Sequence, residues 1–177
     1  MTVTISITED AVITAVRAFI ISILDPAVQV VQGQVNDVPE PTSQDFITMT
    51  PLMRKRLSTN KDSWDTGNPD PNAVASERGT LLTIQLDIHG PNSADNAQII
   101  TTLWRDEFAC SAIDAAVFQP LYASDGHQMP FINGEKRFEN RWTLDLMLQS
   151  NPIVETPMQF ADSLVAGLIV ADLLPST

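Results

Sequence analysis

From Arg141 to Gln149 apolar and polar residues alternate without a break. Trp142, Leu144, Leu146 and Leu148 fall on one side; Thr143, Asp145, Met147 and Gln149 fall on the other. Side chains of a strand alternate between faces, so this pattern predicts a strand with one buried face. Leu82, Ile84, Leu86 and Ile88 repeat it, alternating with Thr83, Gln85, Asp87 and His89. Two such strands make a sheet whose apolar face has to be covered.

Two stretches at helical spacing supply the cover. Thr8 reads as an N-cap, with Glu9 and Asp10 at the positive end of the helix dipole. Val12, Ala15, Val16, Phe19, Ile20 and Ile23 then recur on one face, and Pro26 ends the run. Ile13, Ile21 and Leu24 widen the stripe beyond that face, an excess that suits a chain with subunit neighbours. The second helix is expected to be capped by Ser93 and to carry Ala97, Ile100, Leu103, Trp104 and Phe108 on one face. Asp106 and Glu107 are poorly placed at its negative end, which predicts either an early stop or compensation from Arg105. Asp114–Phe118 reads as a further short helical turn before Pro120.

Further strands are expected at Val28–Val35, bent at Gly33, and at Phe46–Met49, continuing less regularly past Pro51 to Leu57. Met1–Ile7 alternates weakly, as an arm or edge strand would. Asn133-Gly134 carries the clearest hairpin signal, feeding the strand from Arg141. Ser58–Arg78 and Tyr122–Pro130 lack periodicity and read as long projecting loops, the first with an exposed Trp64. Ile153–Asp162 reads as a turn or a loop of helix. Leu164–Leu173 fits strand or helix; Gly167 and the flanking Pro157 and Pro175 favour strand. The sum is one α+β domain over residues 1–177. It is a mostly antiparallel sheet with two main helices packed on one face and long loops projecting.

Composition adds a sign. The 177 residues carry a formal net charge of −12, and an acidic surface repels nucleic acid unless its cations are segregated. They are partly segregated, into Arg54, Lys55, Arg56 and Lys61 and into Lys136, Arg137 and Arg141, with none after Arg141. These groups read as solvated loops and strand ends or, for Arg54, Lys55, Arg56, Lys61, Lys136 and Arg137 with Trp64, as candidate surfaces for docking acidic partners. A single cysteine, Cys110, excludes an intrachain disulfide framework and implies synthesis in a reducing cytoplasm. The start shows no signal-peptide pattern, and Ala18–Leu24 is too short to span a bilayer.

Catalytic chemistry does not emerge. His89 and His127 lack ligand partners at metal-site spacing and read as surface residues. Ser124, Asp125 and His127 have the residue types of a triad but not a spacing that makes one. Asp62, Asp65, Asp70 and Asn72 miss the calcium-loop pattern. Seven scattered glycines form no phosphate loop. Cys110 reads as a small core residue. No catalytic, cofactor or metal residue is assigned.

The run Ile132-Asn-Gly-Glu-Lys-Arg-Phe-Glu-Asn-Arg-Trp-Thr-Leu-Asp-Leu-Met-Leu-Gln-Ser-Asn-Pro, with the later Thr156-Pro-Met-Gln-Phe-Ala-Asp, resembles the neck or tail terminator proteins of tailed bacteriophages. Asn36-Asp-Val-Pro-Glu-Pro, Phe46-Ile-Thr-Met-Thr-Pro, the strand from Gly79 and the helix from Asp95 fall in the same order, so the resemblance spans most of the chain. It implies a non-catalytic, cofactor-free virion protein at the tail–neck junction, synthesised in the host cytoplasm. It further implies a homohexameric ring that caps the tail tube, stops its polymerisation and offers its other side to neck and connector proteins. In contractile tails the ring also meets the sheath. DNA passes through the lumen without specific binding, which a net charge of −12 suits. No membrane is involved. In such a ring Asp145 and Met147 become candidates for the subunit interface or the channel wall. Two alternatives stand beside this reading: another neck, head-completion or tube component, and a small-ligand or enzymatic α+β oligomer. The second requires a pocket with convergent polar groups.

Overall fold

The alternating strands lie side by side at the centre of a six-stranded sheet. The computed structural model describes residues 2–36, 41–65, 73–129, 131–132 and 138–158. In chain order the elements are β1 (Thr4–Ile5), α1 (Glu9–Ile23), β2 (Gln29–Gln32), β3 (Phe46–Arg56), β4 (Lys61–Asp65), β5 (Ala73–Glu77) and β6 (Thr80–His89). There follow α2 (Ser93–Trp104), α3 (Glu107–Ala112), β7 (Gln119–Ala123), β8 (His127–Gln128), β9 (Phe131–Ile132), β10 (Phe138–Glu139), β11 (Arg141–Ser150) and β12 (Ile153–Pro157). The large sheet has the order β2-β3-β6-β11-β7, with β8 also paired to β11. All of its pairings are antiparallel except β2 with β3. The fold is α+β, with α1 and α2 on one face and the short α3 beside α2.

β6 and β11 pair in register over their whole length, Arg141 opposite His89 through Ser150 opposite Thr80. Leu82, Ile84, Leu86 and Ile88 therefore share a face with Trp142, Leu144, Leu146 and Leu148. Leu144, Leu146 and Leu148 are fully buried there, with Ile47 and Met49 of β3 alongside. Trp104 on α2 sits between Phe19 of α1, at 5.6 Å edge-on, and Phe118, at 6.0 Å and stacked. Its indole N–H donates to the Met147 carbonyl at 3.2 Å, so the ring is buried without leaving its donor unpaired.

α1 begins as expected: Thr8 Oγ1 accepts from the Ala11 amide at 3.2 Å. Its surplus of apolar residues is largely absorbed within the chain, because Ile13 and Leu24 are buried and only Ile21 is exposed. α2 begins one residue earlier than the Ser93 cap implied. Asn92 is the cap residue, and Ser93 is buried as the first helical residue. The stop near Asp106 is real. α2 ends at Trp104 and α3 restarts from Asp106, which turns Phe108 outward to 51 % exposure while its ring stays 6.3 Å from Phe19. Cys110 falls on the outer side of α3 and is exposed, not a core residue.

Three stretches expected as loops carry strands. β4 and β5 lie within Ser58–Arg78, paired Lys61 with Glu77 through Asp65 with Ala73. β12 replaces the turn expected after Asn151-Pro152 and pairs with β5, while β1 closes the far edge. These four make a second sheet of order β1-β12-β5-β4. Tyr122 belongs to β7, and β8 lies inside Tyr122–Pro130. Neither region alternates in hydropathy because neither sheet edge buries a face. The expected hairpin turn at Asn133-Gly134 and the segment Leu164–Leu173 lie outside the described residues, as does the 66–72 connection. The antiparallel pairing of β9 with β10 brackets that turn.

β3 is a single strand with a break in its pleat. Pro51 pairs with Ile84 and Met53 with Thr83, so Leu52 is the extra residue of a bulge. The bulge reverses facing: Met53 and Lys55 now point away from the helices, and Arg54 points toward them.

Candidate functional site

The sheet face away from the helices carries the polar side chains of the strands, with Thr50, Thr83, Asp87 and Thr143 buried on it, and its residues follow from register. One row runs His127, Thr143, Asp87 and Thr48; the next Asp145, Gln85 and Thr50; the next Tyr122, Met147, Thr83 and Met53. Asp87 organises the first. Its Oδ1 accepts from Arg141 Nε at 3.0 Å, Arg141 Nη2 at 2.7 Å, Thr143 Oγ1 at 2.8 Å and Gln85 Nε2 at 3.2 Å. Burial alone would raise the pKa of this carboxyl. The hydrogen bonds from Arg141, Thr143 and Gln85, with the Arg141 charge, outweigh it and hold the pKa below the ordinary value. His89 stacks on Phe46 with ring centroids 4.4 Å apart. It is half-buried, not the surface histidine expected from its strand-end position. Burial lowers its pKa, the Arg141 charge adds to that, and Asp87 and Glu139 partly oppose it.

Asp145 and Met147 lie on this polar face, both half-buried. Met147 is flanked across the strands by Tyr122, 44 % exposed, and shares its row with Met53, 52 % exposed, on the far side of Thr83. Register brings together three apolar residues that the sequence scatters over three strands. Met53 and Tyr122 escape a sequence reading because a bulge and a short, uncovered strand put them there.

The basic residues around Arg54 do not form one free patch. Arg54 turns to the helix side and pairs with Glu9 at 2.6 Å. Arg56 donates to Asn60 Oδ1 at 2.8 Å, and Lys61 pairs with Glu77 at 3.6 Å. Lys55 is exposed on the opposite face. Trp64 stands on β4, not on a loop, at 64 % exposure. Phe138 on β10 is 79 % exposed, a feature the sequence pattern did not single out. Lys136 and Arg137 lie outside the described residues.

Among the described residues, catalytic groups do not converge. Ser124 Oγ accepts from the Asp145 amide at 2.8 Å, a structural role. Asp62 accepts from Ser76 Oγ at 2.6 Å. Among the described residues no three His, Cys, Asp or Glu side chains gather as metal ligands, and no helix is long and apolar enough to cross a membrane.

The exposed Met53, Tyr122, Trp64 and Phe138 leave apolar surface that other proteins can cover. Residues 10–170, nearly the whole chain, match the family described as phage neck terminator protein. The chain belongs to that family. It is therefore a structural component of the phage tail and neck, located at their junction in the virion and in contact with other tail or neck proteins. No curated protein matches this neck terminator.

Proposed function

We propose that this neck terminator assembles as a homohexameric ring that caps the tail tube. The ring stops tube polymerisation and presents its other side to the neck and connector, and in a contractile tail it also meets the sheath. Family membership over residues 10–170 is the observation that carries this reading. The acidic balance supports a DNA conduit, because a lumen without clustered cations does not retain phosphate strongly.

Within that ring, the row Tyr122, Met147 and Met53 is assigned to the contact between neighbouring subunits. Asp145, one row away, borders that contact or faces the channel. Trp64 and Lys55 are assigned to contacts with other rings, together with Lys136 and Arg137. Large exposed aromatic side chains are the residue type that anchors protein interfaces most strongly.

Deleting the gene tests the whole reading. Expected are tails of uncontrolled length, or tails and heads that fail to join, seen by electron microscopy. Tails of normal length joined to filled heads would overturn it. Density for a labelled subunit spread along the tube would instead favour a tube component.

A further inference from the structure

We propose that the base of the small sheet is a receptor groove for residues 159–177 of a neighbouring copy of this chain. This rests on the ring reading above and names one of the contacts that would hold the ring together.

Two adjoining cavities, of about 380 and 430 Å³, open at the N-terminal end of α1. They share Val12, Arg54 and Leu82 as a common wall, and the Arg54–Glu9 ion pair lies between them. The first runs between α1 and the small sheet, over Ile5, Pro152 and Val154. Its apolar floor is uncovered: Ile5 is 47 % exposed and Val154 half-buried. Beside the second, Leu52 and Met53 stand more than half exposed. The exposed Arg78, with Arg54 beside it paired to Glu9, puts cationic side chains on the wall of the first cavity in a chain of net charge −12. A groove of this kind selects an apolar segment that carries negative charge.

Residues 159–177 have that chemistry. They include Phe160, Leu164, Leu168 and Ile169, with Asp162 and Asp172, and no Lys or Arg. Strand direction favours a neighbour's groove over the chain's own. β12 starts at the groove, with Ile153 opposite Glu77, and runs outward to Pro157 opposite Ala73. Four residues of strand carry the chain about 13 Å away from its own groove before residue 159. No glycine occurs between Met158 and Gly167 to favour an immediate reversal. Nineteen residues span on the order of 60 Å when extended, ample to reach an adjacent subunit.

Cysteine pairing in assembled particles tests this. In a Cys110→Ser background, Asn60→Cys marks the groove and Ser163→Cys marks the segment. After mild oxidation, particles carrying both should give a ladder of disulfide-linked multimers on a non-reducing gel, and particles carrying either alone should not. Arg54→Glu with Arg78→Glu should lower the linked fraction about tenfold, and Asp162→Lys with Asp172→Lys should partly restore it. A linked monomer band would place the segment in its own groove and overturn the proposal. So would normal particles without linkage. Loss of the protein from tails by the doubly marked chain, with the unmarked chain also absent from the junction, would count against the ring reading instead.

Discussion

The two sheets of this protein are held together by different physics. In the large sheet, β3, β6 and β11 contribute Ile47, Met49, Ile84, Leu86, Ile88, Leu144, Leu146 and Leu148, each at most 2 % exposed, beneath two helices. In the small sheet no residue with described burial is fully buried; β5 is half-buried throughout and Lys61, Asp62, Ser63 and Trp64 of β4 are exposed. The first sheet is specified by what it hides from water, the second by backbone pairing and by its attachment at Pro152 and Arg78, whose amide donates to the Pro152 carbonyl at 3.2 Å. Mutations should therefore act on stability in the large sheet and on assembly in the small one.

The largest effect is expected at Leu146. It is fully buried, central in β11, and flanked by Ile84 and Ala123. Leu146→Asp places an unpaired carboxylate in that core, at a cost of more than about 5 kcal/mol, comparable to the stability of a whole domain. Circular dichroism and limited proteolysis should show no folded protein. A soluble, cooperative Leu146→Asp variant would mean that the face assignment is wrong.

That assignment is legible in the sequence because burial leaves a period there. β6 and β11 were readable to within a residue, as were α1 and its Thr8 cap. The small sheet was not. Lys61-Asp-Ser-Trp-Asp and Ala73-Val-Ala-Ser-Glu bury no face, so nothing in their hydropathy distinguishes strand from loop. The polar face is half legible. Asp145 and Met147 could be placed on it from alternation alone, but not the company they keep. Met53 reaches Met147's row only because Leu52 bulges, and Arg54 leaves the basic cluster for Glu9 for the same reason. The family resemblance drawn from the order of segments holds across the chain, although no short motif carries it.

The second-largest effect lies on the other face of the same strands. Arg141→Ala removes two of the four hydrogen bonds to Asp87 Oδ1 and leaves a carboxylate that is 13 % exposed with Thr143 and Gln85 alone. A loss of about 3 kcal/mol is expected in urea denaturation. Adding Asp87→Asn should recover part of it, since the stranded charge goes. No recovery would show that the guanidinium contributes mainly by packing.

A smaller, graded effect follows from pH. His89 and Asp87 both have folded pKa values below their ordinary ones. The unfolded chain then binds the proton first in each case, so the associated stability is complete above the ordinary value and is lost as pH falls through the folded one. Stability should decline in two stages: one beginning below about pH 6.5 from His89, one below about pH 4 from Asp87. His89→Gln should abolish the upper stage and keep the lower. An unchanged upper stage would assign it to another group.

The smallest effect on stability, and the sharpest contrast with Leu146, is expected at Trp64. The indole is 64 % exposed on an edge strand whose described neighbours are not buried, so Trp64→Ala removes little contact within the chain. Stability should change by no more than about 0.5 kcal/mol. If Trp64 docks on a partner ring, the same substitution costs about 2 kcal/mol of association, near 30-fold in affinity. Competition between wild-type and variant chains for incorporation into tails reads that directly. Equal incorporation with unchanged stability would leave Trp64 without an assembly role and shift the docking surface to Lys55 and the Met147 row. A large loss of stability would mean that the small sheet packs its indole within the chain, and the contrast between the two sheets would fail at its clearest point.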